Sequence, residues 1–376
     1  MWKIQLFKLN FDSREVDAVQ QTVESGWLTM GERTTNFESG FSNYLGGGAQ
    51  SLAVANGTAA LHMALLALEI GSGDEVVIPA LTFVADANAV RLVGAIPVLA
   101  DCSNLDDWNM SVESIERCIT PKTKAVMIVH YAGYPCDMPA IVDLCKKHNL
   151  KLIEDVAHAP GATVAGRSCG AWGDIGCFSF FSNKNLSIGE AGMVTSCNPE
   201  LIQRMKYLRS HGMTTLTLDR HKGRAITYDV AVPGLNYRMD EIRAAIGLVQ
   251  LDKLPAGNAR RKELTDQYRQ NFKNSNVSMP FSNIPVDHVS SCHILPVLLP
   301  LDVDRKEVIE GLKAKGIQSS IHYPPFWNFT AYAGQYSPDD TPVTAEICDR
   351  ELTLPLYPTM TDEDVNLVTT SLLELL

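Results

Sequence analysis

A regular alternation of short apolar runs with helix-length segments is what most constrains this chain. Residues 75–78, 96–101, 124–130 and 150–155 read as strands, and residues 112–118 and 140–148 between them as helices. Near-continuous apolar strands alternating with helices specify a mostly parallel sheet covered on both faces, because each parallel connection has to cross back over the sheet. In such sheets ligands collect beyond the C-terminal ends of the strands. Asp155 stands at one of those ends. The 376 residues exceed the size at which one core keeps growing, so a large and a smaller domain are expected.

A second acid-base partner follows in Cys177-Phe178-Ser179-Phe180-Phe181-Ser182-Asn183-Lys184, an apolar strand running into a polar loop, with another strand starting near Met193. A lone lysine in a loop is ordinarily a solvated charge. An amine and a carboxyl leaving strand ends on one edge suit pyridoxal phosphate, which joins a lysine as a Schiff base and needs an acid at its ring nitrogen. A phosphate cradle is legible at Asn56-Gly57-Thr58, where a short strand turns into an Ala- and Leu-rich helix. The first N–H groups of a helix are unpaired and carry the positive end of its dipole. Ser179 adds a hydroxyl ahead of the lysine loop. Alone, the turn would be an ordinary capped helix start.

Five segments in order carry a more specific resemblance: Asn56-Gly57-Thr58-Ala59-Ala60, Pro79-Ala80-Leu81-Thr82-Phe83-Val84-Ala85, Glu154-Asp155-Val156-Ala157-His158-Ala159, Phe178-Ser179-Phe180 with Lys184-Asn185 and Gly189-Glu190, and Gly234-Leu235-Asn236-Tyr237-Arg238-Met239. Together they resemble the pyridoxal-phosphate-dependent keto-sugar aminotransferases of the DegT and StrS type, within the aspartate aminotransferase superfamily. The likeness runs from about Gly26 to Pro358. It implies an α/β fold with a large cofactor-binding domain, 1–254, and a smaller C-terminal α+β domain, 255–376. It implies Lys184 and Asp155 as catalytic residues, and Gly57, Thr58, Phe83, His158, Ser179 and Asn236 as further cofactor contacts. Phe83 would stack on the pyridine ring and His158 would meet the ring hydroxyl. Asn236 would reach the phosphate of the neighbouring subunit, making the active site composite and the homodimer obligatory. Thr29, Arg238, His322 and Tyr323 are the implied substrate contacts.

The remaining segments fit that frame. Residues 13–24 predict a helix with a serine cap and Val16, Val19 and Val23 on one face, followed by an irregular stretch over 27–32. Residues 199–209 predict a helix, and 213–232 a polar, weakly periodic segment. Beyond it Ile242, Ala245, Ile246 and Val249 make one apolar helix face. A break is expected at Pro255, then a helix over 259–272. Strands over 293–299 and 317–321 and helices over 305–315 and 362–375 complete the smaller domain. Gly71-Ser72-Gly73 precedes a strand instead of following one, so the dinucleotide-binding reading fails.

Composition narrows the partners. Acidic residues outnumber basic ones, 43 to 32, and no basic cluster with interleaved aromatics points to nucleic acid. There is no membrane-length apolar stretch and no signal-peptide pattern, and nine cysteines without a Cys-x-x-Cys pair fit reduced thiols, so a cytoplasmic location is expected. Nine scattered histidines give no metal-ligand spacing.

The expected reaction takes the amino group from glutamate or another amino acid, leaves pyridoxamine phosphate, and passes the amine to a keto-sugar. That acceptor would be a nucleotide-linked keto-deoxysugar, a free keto-sugar acid or a cyclitol. Phe181-Ser182 and Ala191 depart from the family pattern beside the lysine loop and bear on the subgroup. Lys184 argues against the related sugar 3-dehydratases, which carry histidine there, and the full set of site residues argues against a silent regulator that only binds cofactor or sugar.

Overall fold

The computed structural model describes residues 2–215 and 227–376. Helices α1 (Ser13–Glu24) and α2 (Glu32–Leu45) lead into β1 (Gln50–Val54), α3 (Gly57–Ala67), β2 (Glu75–Pro79), α4 (Ala85–Leu92), β3 (Ile96–Ala100), α5 (Val112–Cys118), β4 (Thr123–Val129), α6 (Met138–Lys147) and β5 (Lys151–Asp155). Short strands β6 (Thr163–Val164) and β7 (Arg167–Ser168) precede β8 (Ile175–Ser179), β9 (Gly192–Ser196) and α7 (Pro199–Arg209). The chain ends with α8 (Glu241–Phe272), β10 (His288–Val289), β11 (Leu295–Leu298), α9 (Arg305–Ala314), α10 (Pro342–Arg350), β12 (Glu351–Leu354) and α11 (Asp362–Leu373).

Seven strands form one sheet in the order β1-β9-β8-β5-β4-β2-β3. From β8 to β3 the neighbours are parallel, and β9 runs against both β1 and β8. Successive side chains of a strand point to opposite faces. Val76, Ile78, Ala125 and Met127 therefore pack with α3, α4 and α7, while Val77, Val126 and Ile128 pack with α5 and α6. Farther along the second face, Phe178 and Phe180 meet Phe37 and Phe41 of α2, with ring centroids 4.9 to 5.6 Å apart. The same alternation turns Ser179, between the two phenylalanines, the other way.

A separate apolar cluster joins antiparallel β11 and β12 to α9, α11 and the last turns of α8 through Leu264, Tyr268, Leu312, Val365 and Val368. Ile4 is buried in this cluster, and the N–H groups of Lys3 and Ile4 both donate to Gly316 O. The first residues thus pack with the C-terminal unit, which a division at 1–254 does not anticipate. The expected break at Pro255 is also absent, since α8 is one 32-residue helix. A proline inside a helix forfeits one N–H bond and costs about 3 kcal/mol in isolation. Here Leu254 is buried against the large sheet's cluster and Leu264 against the small one, so packing on both sides of Pro255 holds the helix together. The cores change over within α8, and no linker separates them.

Other local expectations are corrected by charge pairing. The cap of α1 is Asp12, with Glu15 completing the capping box. Glu15 and Thr22 are the buried residues of this helix, while Val16 and Val23 are 64% and 54% exposed. The reason is Glu15, whose carboxylate meets Lys253 Nζ and Gln250 Nε2 on α8, each at 2.6 Å. Turning the valines inward would take Glu15 from Lys253 and leave that buried amine with only the half-exposed Asp12 as its acid, at 3.0 Å. On α8 the buried face is Ala244, Ala245, Gly247 and Gln250, rotated from the expected one. Helix α2, unexpected from the sequence, is capped from a distance. Buried Glu241 accepts from the N–H groups of Gly31, Arg33 and Thr34 and from Thr34 Oγ1. The expected strand over 317–321 is reduced to single bridges, Ile4 to Ile317 and Ser320 to Thr353. The polar segment expected over 213–232 lies in part outside the described residues.

Candidate active site

Strands β1, β5 and β8 end on one edge of the sheet, and beyond it lies a cavity of about 450 Å³. Gly57 and Thr58, from the first turn of α3, line it together with Ser179. Asn56 caps that helix, its Oδ1 accepting from Ala59 N at 2.8 Å and its carbonyl from Ala60 N. The N–H groups of Gly57 and Thr58, ahead of the first intrahelical bond, are left for a ligand. Only glycine fits at 57, because a Cβ there would stand 2.8 Å from Ser179 Cβ. The first turn of α3 and the end of β8 therefore approach closely enough to surround one anion.

Asp155 and Lys184 line the same cavity. Asp155 is buried, with Oδ1 accepting from Ala157 N at 2.8 Å. Burial pushes its carboxyl up, opposed by that N–H and by the nearby Lys184 amine. Lys184 is half-buried in a loop turned back by its own N–H to Phe181 O. The protein packed around its amine lowers its pKa to about 8, while Asp155 holds it up. His158 is buried on the same edge. The N–H of Ala132 donates to its Nδ1 at 3.2 Å, so Nε2 carries the proton and donates to Tyr323 Oη at 2.8 Å. Burial, reinforced by Lys184, keeps this ring neutral. Phe83 is 55% exposed on the cavity wall, 5.6 Å from the Tyr323 ring. An amine, a buried acid and an anion cradle in one cavity of this size fit a phosphorylated pyridine aldehyde.

Of the expected substrate contacts, His322 and Tyr323 line the cavity. The backbone of His322 is fixed by its N–H to Glu351 Oε2 at 2.9 Å and by the Tyr131 hydroxyl on its carbonyl. Thr29, Asn236 and Arg238 are not among the lining residues. Thr29 and Asn236 are exposed, and Arg238 is half-buried beside the end of β1, bridging Val54.

Sequence reasoning missed the groups that hold the lysine loop. Asn185 Nδ2 donates to Asn258 Oδ1 on α8 and to Ser291 O, each at 2.8 Å, and its Oδ1 takes a 2.9 Å bond from His293 Nδ1. A polar residue next to Lys184 was visible, but its partners lie 73 to 108 positions away. Buried Asp86 and its neighbour Thr82 gave no signal either, because an acid near a helix start reads as a dipole partner. Among the described residues no three His, Cys, Asp or Glu side chains are grouped to hold a metal, and no helix is long and apolar enough to cross a membrane.

The sequence pattern of the DegT/DnrJ/EryC1/StrS aminotransferase family matches residues 10–373. An uncharacterized protein of Methanocaldococcus jannaschii, MJ1066, is 37% identical over 366 residues, 96% of this chain and 94% of its own. Among solved structures, Spr1654 of Streptococcus pneumoniae in its pyridoxamine phosphate form superposes with a TM-score of 0.91 at 30% identity, covering 97% of both chains. PseC of Helicobacter pylori, an aminotransferase involved in the biosynthesis of pseudoaminic acid, superposes with a TM-score of 0.91 at 28% identity over 99% of this chain and 98% of its own.

Proposed function

Because the chain belongs to the DegT/DnrJ/EryC1/StrS aminotransferase family, and so is a pyridoxal-phosphate-dependent sugar aminotransferase, we propose that it carries an amino group from an amino acid, glutamate in the simplest case, to a nucleotide-linked keto-deoxysugar. The product would be an amino sugar for a surface polysaccharide or a secondary metabolite, made in the cytoplasm. The observation that carries this reading is the shared cavity of Lys184, Asp155 and the cradle of Gly57, Thr58 and Ser179.

Bound there, pyridoxal phosphate supplies a ring that accepts the electron pair left when a donor Cα loses its proton. The chain's own residues do the rest. Gly57 and Thr58 N–H and the Ser179 hydroxyl would hold the phosphate, and Asp155 would accept from the ring N–H and favour its staying protonated. Phe83, exposed on the cavity wall, would cover one face of the ring. His158, neutral and with Nε2–H directed at Tyr323, would present a fixed tautomer to the ring hydroxyl. Lys184, its amine lowered to about 8 by burial, would take the proton from Cα and return it at C4′. His322 and Tyr323 flank the acceptor.

Thr29, Asn236 and Arg238 lie outside their own chain's cavity, which supports a second copy bringing them to it. We therefore assign a homodimer with composite active sites. Two steps test the function. Glutamate should bleach the absorbance band of the bound cofactor, and a keto-sugar from a panel of nucleotide-linked deoxysugars, free sugar acids and cyclitol ketones should restore it. A band indifferent to every amino donor defeats the proposal. Lys184→Ala should lose turnover completely while still retaining added pyridoxamine phosphate.

A further inference from the structure

Behind Asp155, out of the cavity, stands a second acid. Asp86 on α4 is fully buried, and Thr82 Oγ1 donates to its Oδ2 at 2.5 Å. Its Oδ1 has no donor among the described residues. Asp86 and Asp155 are neighbouring buried acids, and the charge on Asp155 disfavours ionisation of Asp86. Two neighbouring acids taken out of water are costly to ionise together, and the orphaned Asp86 oxygen lacks any donor that would stabilise its anion, so one proton is expected on the pair. The surroundings decide where it rests.

Burial pushes Asp155 toward neutral, but unlike Asp86 it has groups that favour its anion: the Ala157 N–H at 2.8 Å, the Lys184 amine and His130 just past the adjoining strand. Asp86 has the Thr82 hydroxyl as its one donor and the charge of Asp155 against it, and burial drives its carboxyl strongly toward the neutral form. A proton on Asp86 removes the repulsion and gives the orphaned acid oxygen a role as donor. We propose that Asp86 is a positioning residue that stays protonated and donates to Asp155, keeping Asp155 an ionised acceptor directed at the cavity. Asp155 then has little need of the cofactor's ring proton, and that proton stays on the ring nitrogen. This extends the reading in which Asp155 faces the ring.

The first measurement uses the apoprotein, so its outcome does not depend on how the cofactor sits. The infrared difference between the wild-type chain and Asp86→Asn at neutral pH should show the carbonyl stretch of one neutral carboxylic acid, with the other buried acids, Glu351 among them, cancelling. No such band overturns the proposal. The second is the affinity of the apoprotein for pyridoxal phosphate. Asp86→Asn keeps an acceptor for Thr82 and a neutral donor for Asp155, and should bind within about threefold of wild type. Asp86→Ala loses the donor to a charged group and should bind about tenfold more weakly or worse. Equal affinity of the two variants, whether both intact or both impaired, overturns the positioning role. Should Asp86→Ala fail to fold, the infrared band and the Asp86→Asn affinity still decide.

Discussion

At the scale of single residues, this site works by setting charge against burial. Lys184 is held by the surrounding protein at a pKa of about 8 and would fall lower without Asp155. The rate at which the apoprotein's amine reacts with pyridoxal phosphate should therefore rise through a midpoint near 8, not near the ordinary 10.5. In Asp155→Asn that midpoint should move down, because the carboxylate is what favours the ammonium. A midpoint that stays or rises would mean the two groups do not interact. Stopped-flow absorbance across pH gives both curves. Asp155→Asn should also cut turnover by a hundredfold or so, in line with loss of a charged group that stabilises the reacting ring.

Among elements, the closest approach is between the first turn of α3 and the end of β8, where glycine at 57 leaves room beside Ser179. Gly57→Val should fold, with its far-ultraviolet dichroism unchanged, yet bind pyridoxal phosphate at least tenfold more weakly, since the displaced turn no longer aims its N–H groups at a phosphate. Strand β12 supplies a different test. Glu351 is fully buried, and burial raises its pKa to about 8 from the ordinary 4.5, against the Thr353 hydroxyl and the His322 N–H. The folded chain thus binds a proton that the unfolded chain has lost between those two values. Stability should fall as pH rises from about 4.5 to 8, by a few kcal/mol over the whole window. Glu351→Gln, neutral at every pH, should flatten that part of the melting-temperature profile. An unchanged slope would assign the pH dependence elsewhere.

For the whole molecule, the proposed assembly makes the sharpest claim. Lys184 lies in the chain's own cavity, whereas Asn236 is exposed and outside it. If the sites are composite, a Lys184→Ala chain mixed and refolded with an Asn236→Ala chain should regain activity above the sum of the two alone. One site of each mixed dimer would then contain both native residues. Sedimentation should show two copies throughout, and the outward-facing Val16 and Val23 of α1 are apolar surface that such an assembly could cover. Activity no greater than the sum would assign Asn236 to its own chain.

Much of this was encoded locally. Strand and helix alternation, the acid ending β5, the cradle at Asn56-Gly57-Thr58 and the lysine after β8 follow from apolar spacing and turn chemistry over a few residues, which a linear sequence displays. What folding in three dimensions decided were matters of long-range partnership. Glu15 faces inward because Lys253 waits on α8, that helix passes through Pro255 because two cores grip it, and Asn185 anchors the lysine loop through Asn258 and His293. Buried charges choose partners by proximity in space, and the energy of each choice depends on which groups water has been removed from. That is why the acid at 155 could be read from the chain, while the second acid behind it, at 86, became visible only once the sheet and α4 had closed around both.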